Sequence, residues 1–322
     1  MTAAATGLLI LVRHGESEWN KSNRFTGWAD VPLTTKGIDE ARKAGTLLAQ
    51  SKIRVDEVYT SVLDRSITSA EEALGTYAAL SGRGGIPINK RLRLNERHYG
   101  ALTGQNKKEA MASGGPELLR WRSTLDGRPP SMNASNSWHA PILASADASS
   151  LTLEGLDAVP LTESMRDCCE RVLPLWRDEL RPAILSEGKT LLVIGHANNL
   201  RALIRCVQGL DDEELSRLGV PNSLPLVYEF DTAGRPLPPQ PTGGTVAPLS
   251  GSYLGEEAGL FETLNSNRDG TLSVDELAEA GLCDVLDESE QSCERLMEQA
   301  DNNGDGRVDF NEFVNWMKRS TD

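Results

Sequence analysis

Apolar runs recur along the first 230 positions, each ending in a polar turn that gives way to helical spacing. GLLILV (7–12) leads through a loop to TTKGIDEARKAGTLLAQ. VDEVYTS (55–61) leads to LDRSITSAEEALGTYAAL, and TLLVIG (190–195) leads to NNLRALIRCVQGL. PLVYEF (225–230) closes the series, and a further apolar helix is expected within TESMRDCCERVLPLWRDELRPAIL. Strand, loop and helix repeated in this way predict an α/β domain with a largely parallel sheet. The stretch 128–159, with SMNASNSW and ILASADASS, is expected to be a long surface loop.

Beyond Asp231 the pattern stops. DTAGRPLPPQPTGGTVAPLSGSY carries five prolines and no hydrophobic period, which marks a linker over 232–253. The chain is therefore divided into a domain over 1–231, the linker, and a small all-α domain over 254–322. Charge follows the same division. The net charge is −14, with 18 of the 47 acidic and 5 of the 33 basic residues at positions 250–322. The last piece thus holds almost all of the imbalance, which argues against nucleic acid as a partner.

The remaining composition narrows the class. A hydrophobic fraction of 39% and a charged fraction of 25% describe an ordinary globular chain. No apolar run approaches the roughly 20 residues that span a bilayer. MTAAATGLLILV lacks the basic flank of a signal peptide, so no membrane partner and a cytoplasmic location are expected. Cys168, Cys169, Cys206, Cys283 and Cys293 form no CxxC pair and are expected to be reduced thiols.

Ligands of open α/β sheets sit beyond the carboxyl ends of the strands. The first strand ends in Arg13-His14-Gly15 and the third in Gly195-His196, while Arg65 follows the second near a helix start. These are two of only four histidines in the chain. Paired with arginines, they predict a phosphate pocket. An imidazole nitrogen there can take a phosphoryl group covalently, dividing one transfer into two steps. Guanidinium and imidazolium groups would supply the positive charge without a catalytic metal. One carboxylic acid is needed to protonate the leaving oxygen.

VRHGESEWN resembles the signature of the histidine phosphatase superfamily. NRFTGWADVPLTTKG, YTSVLDRSI, LNERHYGALTGQNK, PLTES and HANNLRAL resemble, in order and spacing, the cofactor-dependent phosphoglycerate mutases. The resemblance implies a three-layer α/β/α fold and interconversion of 3-phosphoglycerate and 2-phosphoglycerate, primed by 2,3-bisphosphoglycerate. It implies that His14 carries the phosphoryl group, that His196 is the second active-site histidine and that Glu96 is the general acid/base. Arg13, Ser17, Asn20 and Arg65 match groups around the transferred phosphate, and Thr26 and Gly27 match backbone contacts to substrate. Arg97, Tyr99, Lys107 and Arg122 match groups that hold the rest of the substrate, with Lys108 beside Lys107 leaving that register open. Ala197 and Asn198 lie where the family has Gly-Asn. Departures at Ser123, Ala197, Asn199 and PNSLPL (221–226) bear on substrate affinity more than on chemistry.

NSNRDGTLSVDE (265–276) and DNNGDGRVDFNE (301–312) have the EF-hand calcium-loop pattern. Positions 1, 3, 5, 7 and 12 are Asn265, Asn267, Asp269, Thr271 and Glu276 in the first loop. In the second they are Asp301, Asn303, Asp305, Arg307 and Glu312. The first loop opens on Asn where Asp is usual, so it is expected to bind Ca²⁺ more weakly. Tyr253-Leu254-Gly255-Glu256-Glu257 resembles the start of the family's mobile tail and runs straight into the first EF-hand helix. Calcium is thus expected either to bias closure over the site or to anchor a partner. A phosphatase of the same superfamily and a calcium sensor on an inactive scaffold are the competing functions. Whether the N-terminal domain assembles into a homo-oligomer is left open.

Overall fold

In the central strands successive residues are apolar because both faces of the sheet are covered. The computed structural model describes residues 6–110, 112–113, 121, 124–148, 158–238, 249–255, 260–261, 264–265, 270–279, 297–302 and 305–320. Among them one sheet is formed by β1 (Leu9–Arg13), β2 (Glu57–Thr60), β3 (Ile88–Lys90), β4 (Leu191–Gly195), β5 (Leu226–Tyr228) and β6 (Ser252–Tyr253). Its order is β3-β2-β4-β1-β5-β6. The first four strands run parallel, and β5 and β6 turn antiparallel at one edge. Arg13 pairs with Gly195, so β1 and β4 end level with each other. That register places His14 and His196 side by side.

Among the described residues the helices include α1 (Glu18–Lys21), α2 (Thr35–Gln50), α3 (Asp64–Ser81), α4 (His139–Ala148), α5 (Met165–Leu175), α6 (Arg181–Leu185), α7 (Ala197–Gln208), α8 (Asp212–Arg217), α9 (Val274–Glu279) and α10 (Phe310–Ser320). Ile10, Val12, Leu192 and Ile194 pack under Ala44 and Leu48 of α2 and Ala70, Ala73 and Tyr77 of α3. The alternate residues Leu9, Leu11, Leu191 and Val193 face α5 and α7 on the other side. The α/β/α layering therefore follows from the strand period of two.

Three expectations need correction, and one strand had not been expected. The stretch 128–159 is not all loop, since α4 lies in it and Ile142, with Met132, packs on Trp28 and Leu92. The edge strand β3 had no signal, its three residues being only partly buried or exposed. The helix over 162–185 is interrupted by a π-helical turn at Trp176–Leu180, where Arg181 N–H donates to the Trp176 carbonyl directly before Pro182; proline is a common cause of such a break. The last two residues of the expected linker, Ser252 and Tyr253, are strand β6, so the chain rejoins the sheet before the calcium loops begin. Residues 239–248 of that stretch lie outside the described residues.

Candidate active site and calcium loops

β1 runs directly into the pocket. His14 N–H donates to the Gly195 carbonyl at 3.0 Å, continuing the β1–β4 ladder by one residue. The next residue must be glycine, because a Cβ at Gly15 would stand 2.0 Å from the Gly37 carbonyl oxygen. On the other side, Asn222 Nδ2 donates to the His14 carbonyl at 2.7 Å and Ser223 N–H to the Arg13 carbonyl at 2.8 Å.

The histidines are almost wholly buried, with ring centroids 4.9 Å apart in an edge-on arrangement. His14 Nδ1 lies 2.6 Å from the Gly15 carbonyl, which can only accept, so Nδ1 carries the proton. The lone pair is thereby placed on Nε2, the nitrogen available as a nucleophile. Burial, then Arg65 and Arg13, hold the His14 pKa well below its ordinary value. The same burial, with Arg65, His14 and Arg13, lowers that of His196. Both rings are therefore neutral near pH 7 in the free protein. His196 Nε2 lies 2.8 Å from Ser61 Oγ, while its Nδ1 is buried with no protein partner among the described residues.

Positive charge comes from guanidinium groups. Arg65 is buried in the first turn of α3, donating through Nη1 to the Ala29 carbonyl (2.9 Å) and through Nη2 to that of Gly27 (2.8 Å). Burial lowers its pKa to about 10, against the pull of Glu96 and Asp30, so it stays charged at neutral pH. Arg13 Nη1 donates to the Val220 carbonyl at 3.0 Å and to Asn311 Oδ1 at 3.2 Å. The Nε atoms of Arg13 and Arg97 are buried without partners among the described residues.

Glu96 Oε1 accepts from the N–H of Arg97 at 2.7 Å and from that of Asn198, in the first turn of α7, at 3.2 Å. Asn198 Nδ2 in turn donates to the Tyr99 hydroxyl at 2.9 Å, and the Arg97 guanidinium lies over the Tyr99 ring. His14, His196, Arg13, Arg65, Glu96, Arg97, Tyr99 and Asn198 are thus linked into one neighbourhood. Thr26 and Gly27 are buried beside it, with Gly27 at φ 55°. Ala197 opens α7 and is half-buried. Lys107 Nζ lies 6.0 Å from the Phe25 ring, which packs on Tyr99. Ser17 and Asn20 close a capping box on α1, each bonded to the other. Arg122 lies outside the described residues.

Several positions that matter had not been singled out. Arg171 and Glu163 form a buried ion pair, Nε to Oε1 at 2.6 Å and Nη2 to Oε2 at 2.9 Å. Arg171 also donates to the carbonyls of Arg93, Asn95 and Glu96, which fixes the backbone that carries Glu96. The Asn199 amide accepts from His196 N–H and donates to the Leu94 carbonyl, tying α7 to the same segment. Asn199 was visible only as a departure from the family pattern, and Arg171 reads in sequence as a surface charge.

The calcium loops pair as EF-hands do. β7 (Thr271–Leu272) and β8 (Val308–Asp309) run antiparallel, with the two position-8 residues, Leu272 and Val308, opposite each other. Gly270 and Gly306 take the left-handed turn at φ 85° and 81°. In the second loop Asp301 accepts from the N–H groups of Asp305 and Gly306, and Glu312 from those of Asn302 and Asp309. Burial, then Asp309, Asp301 and Asp305, push the Glu312 carboxyl up to about 8. Such crowding of hard oxygen donors fits Ca²⁺, which would relieve it. Asn265 of the first loop is buried with neither side-chain polar atom partnered among the described residues, an orphan that a cation would satisfy in part. Among the described residues no three His, Cys, Asp or Glu side chains converge as a ready-made shell, and Asn267, Asp269 and Asn303 lie outside them.

The histidine pair stands at the ends of parallel strands beside buried arginines, the arrangement on which the resemblance to the histidine phosphatases rests. Residues 9–140 match the family model of the histidine phosphatase superfamily (branch 1), and residues 258–318 match that of the EF-hand domain pair. A 2,3-bisphosphoglycerate-dependent phosphoglycerate mutase of Rhodococcus jostii is 43% identical over 262 residues, 80% of this chain and 94% of the relative. That of Hamiltonella defensa is 44% identical over 230 residues, covering 71% and 88%. The chain belongs to the 2,3-bisphosphoglycerate-dependent phosphoglycerate mutase family. The fold is shared with YhfR of Bacillus stearothermophilus, at a TM-score of 0.52 and 24% identity over 71% of this chain and 94% of that one. It is shared too with a mycobacterial glucosyl-3-phosphoglycerate phosphatase, at a TM-score of 0.51 and 21% identity over 70% and 93%. No helix among the described residues is long and apolar enough to cross a membrane.

Proposed function

We propose that the chain interconverts 3-phosphoglycerate and 2-phosphoglycerate through a phosphoryl group carried on His14. In this reading 2,3-bisphosphoglycerate primes the histidine, and the EF-hand pair binds Ca²⁺ and regulates the reaction. The observation that carries it is the His14 tautomer: a neutral imidazole with its proton fixed on Nδ1 by Gly15 and its lone pair on Nε2. Arg13 Nε, Arg97 Nε and His196 Nδ1, buried and without partners among the described residues, fit an anionic oxygen ligand. The division into a domain over 1–231 and an EF-hand pair over 254–322 belongs to the same proposal.

Each side chain then has one task. His14 Nε2 forms the N–P bond as the P–O bond breaks, and Glu96 gives its proton to the departing oxygen. Glu96 then takes a proton from the hydroxyl to which the phosphoryl group is returned. Arg13 and Arg65 stabilise charge on the equatorial oxygens. His196, neutral when the pocket is free, gains affinity for a proton beside a phosphate dianion and becomes a further donor. Arg97 and Tyr99 hold the carboxylate end of the substrate, with Lys107 behind Phe25. The free thiols Cys168, Cys169 and Cys206, their pKa values raised by burial, suit a reducing cytoplasm and no redox role.

A coupled assay with 3-phosphoglycerate tests this reading. Turnover to 2-phosphoglycerate that rises with added bisphosphoglycerate is the expected result. Release of inorganic phosphate as the main product would instead establish a phosphatase. The same assay in Ca²⁺ and in chelator tests the regulatory part, and identical kinetics in both would remove it.

A further inference from the structure

The second calcium loop touches the pocket. Arg13 Nη1 divides its hydrogen bonds between the Val220 carbonyl and Oδ1 of Asn311, which is loop position 11. Asp309, at position 9, is among the anions whose charge Arg13 feels, together with Glu96 and Glu40. The backbones meet closely too: a Cβ built on Gly219 would stand 3.1 Å from Asp309 Oδ1 and 3.2 Å from Asn311 N. Phe310, between them in sequence, packs its ring 5.0 Å from that of Tyr253 in β6 and 5.1 Å from that of Phe261. The apolar core of the calcium module is in fact one cluster with the core of the sheet, running from Leu9 and Val193 to Phe313 and Val314. Among the described residues the loop is thus packed directly against the core of the sheet.

We infer that Asn311 is a positioning residue for Arg13, and that through it the calcium loop 301–312 and the phosphate pocket are energetically coupled, each ligand strengthening the other. The inference rests on the proposed reading of the pocket and adds the route and the sign of regulation. The route is the Arg13–Asn311 bond with the Gly219 contact beside it. The sign follows from charge. Asp309 lies beside Gly219, next to the Arg13–Asn311 bond, and its carboxylate charge acts on Arg13 and opposes an incoming phosphate. A divalent cation held by the loop would neutralise that carboxylate charge. Arg13 then keeps its neutral tether to Asn311 and presents its free Nε to the anion. Asn311 is at a loop position whose side chain is not among the metal-donating ones, so its removal leaves the calcium donors in place.

The test is calorimetric and uses the full chain. 3-Phosphoglycerate is titrated in Ca²⁺ and in chelator, and Ca²⁺ is titrated with and without 3-phosphoglycerate. The expected result is binding of 3-phosphoglycerate at least about fivefold tighter with Ca²⁺, and an equal factor in the reverse titration, as linkage requires. Asn311→Ala and, independently, Gly219→Val should each still bind Ca²⁺ but reduce the factor towards one. A merely structural role for Asn311 would shift stability and leave the factor unchanged. Equal affinity with and without Ca²⁺, or a full factor in both variants, overturns the coupling while leaving the mutase reading intact. Absence of 3-phosphoglycerate binding under all conditions overturns both.

Discussion

Replacing Arg171 by methionine probes how the general acid/base is held. The two pair partners are 2% and 3% exposed, so solvent does little to screen either charge. Every Arg171 N–H is used: Nε on Glu163, Nη1 on the Arg93 and Asn95 carbonyls, and Nη2 on Glu163 and the Glu96 carbonyl. Burial opposes the arginine's charge, but the Glu163 carboxylate outweighs it and raises the pKa above the ordinary value. Methionine fills most of the volume yet leaves Glu163 as a buried, unpaired charge. Breaking such a pair typically costs about 3–5 kcal/mol. The loss here should fall near the lower end, because Glu163 Oε2 keeps the His98 N–H at 2.8 Å and the Glu96 carbonyl keeps Trp28 Nε1 at 2.6 Å. The double variant Arg171→Met/Glu163→Gln removes the orphan charge and should recover part of the loss. Urea unfolding gives the stability difference. Turnover at a temperature where the variant is folded gives the catalytic effect, expected at about 100-fold if Glu96 moves by an ångström. A cost below about 1 kcal/mol, the level of an exposed pair, with unchanged kcat would refute the assignment of Arg171 as the support of the Glu96 segment.

Three further outcomes are expected. His98 is buried as a neutral ring, Nδ1 accepting from Gly100 N–H, and burial lowers its pKa to about 4. The unfolded chain binds this proton near pH 6.5, so His98 makes stability fall as pH drops from 6.5 to about 4 by up to about 3 kcal/mol. The stability difference between the native protein and His98→Gln should narrow over that range. Ser61→Ala frees His196 Nε2 from its one hydroxyl partner at 2.8 Å and should lower kcat by up to about tenfold, with KM changed less. Glu312→Gln should remove the tighter of two Ca²⁺ sites in a calorimetric titration, since the other loop opens on neutral Asn265; loss of the weaker site instead would reverse that ranking.

The central strands were legible because they are buried on two faces and leave uninterrupted apolar runs. β3 was not, being a three-residue edge with its side chains partly exposed. α4 was masked by the Ser- and Pro-containing HAPILASADA, whose apolar side chains give it no single polar face to contrast with. At the site, His14, Arg65 and His196 could be found from strand-end logic, and Glu96, Tyr99 and Asn198 from the family resemblance. Arg171 escaped because a lone arginine on a helix says nothing about which carbonyls it meets. The protonation of the two histidines escaped because it depends on burial. Asn311 is the sharpest case. Its loop is plain in the sequence, but only the fold brings position 11 of a calcium loop within 3.2 Å of Arg13, 298 residues earlier.

The central claim is that His14 takes the phosphoryl group. Incubation of the full chain with 2,3-bisphosphoglycerate, followed by alkaline work-up and peptide mass spectrometry, tests it most directly. The account predicts a mass gain of one phosphoryl group on the peptide carrying His14, lost on addition of 3-phosphoglycerate and absent in His14→Ala. An unmodified His14 peptide, or the same label on His196, would contradict it.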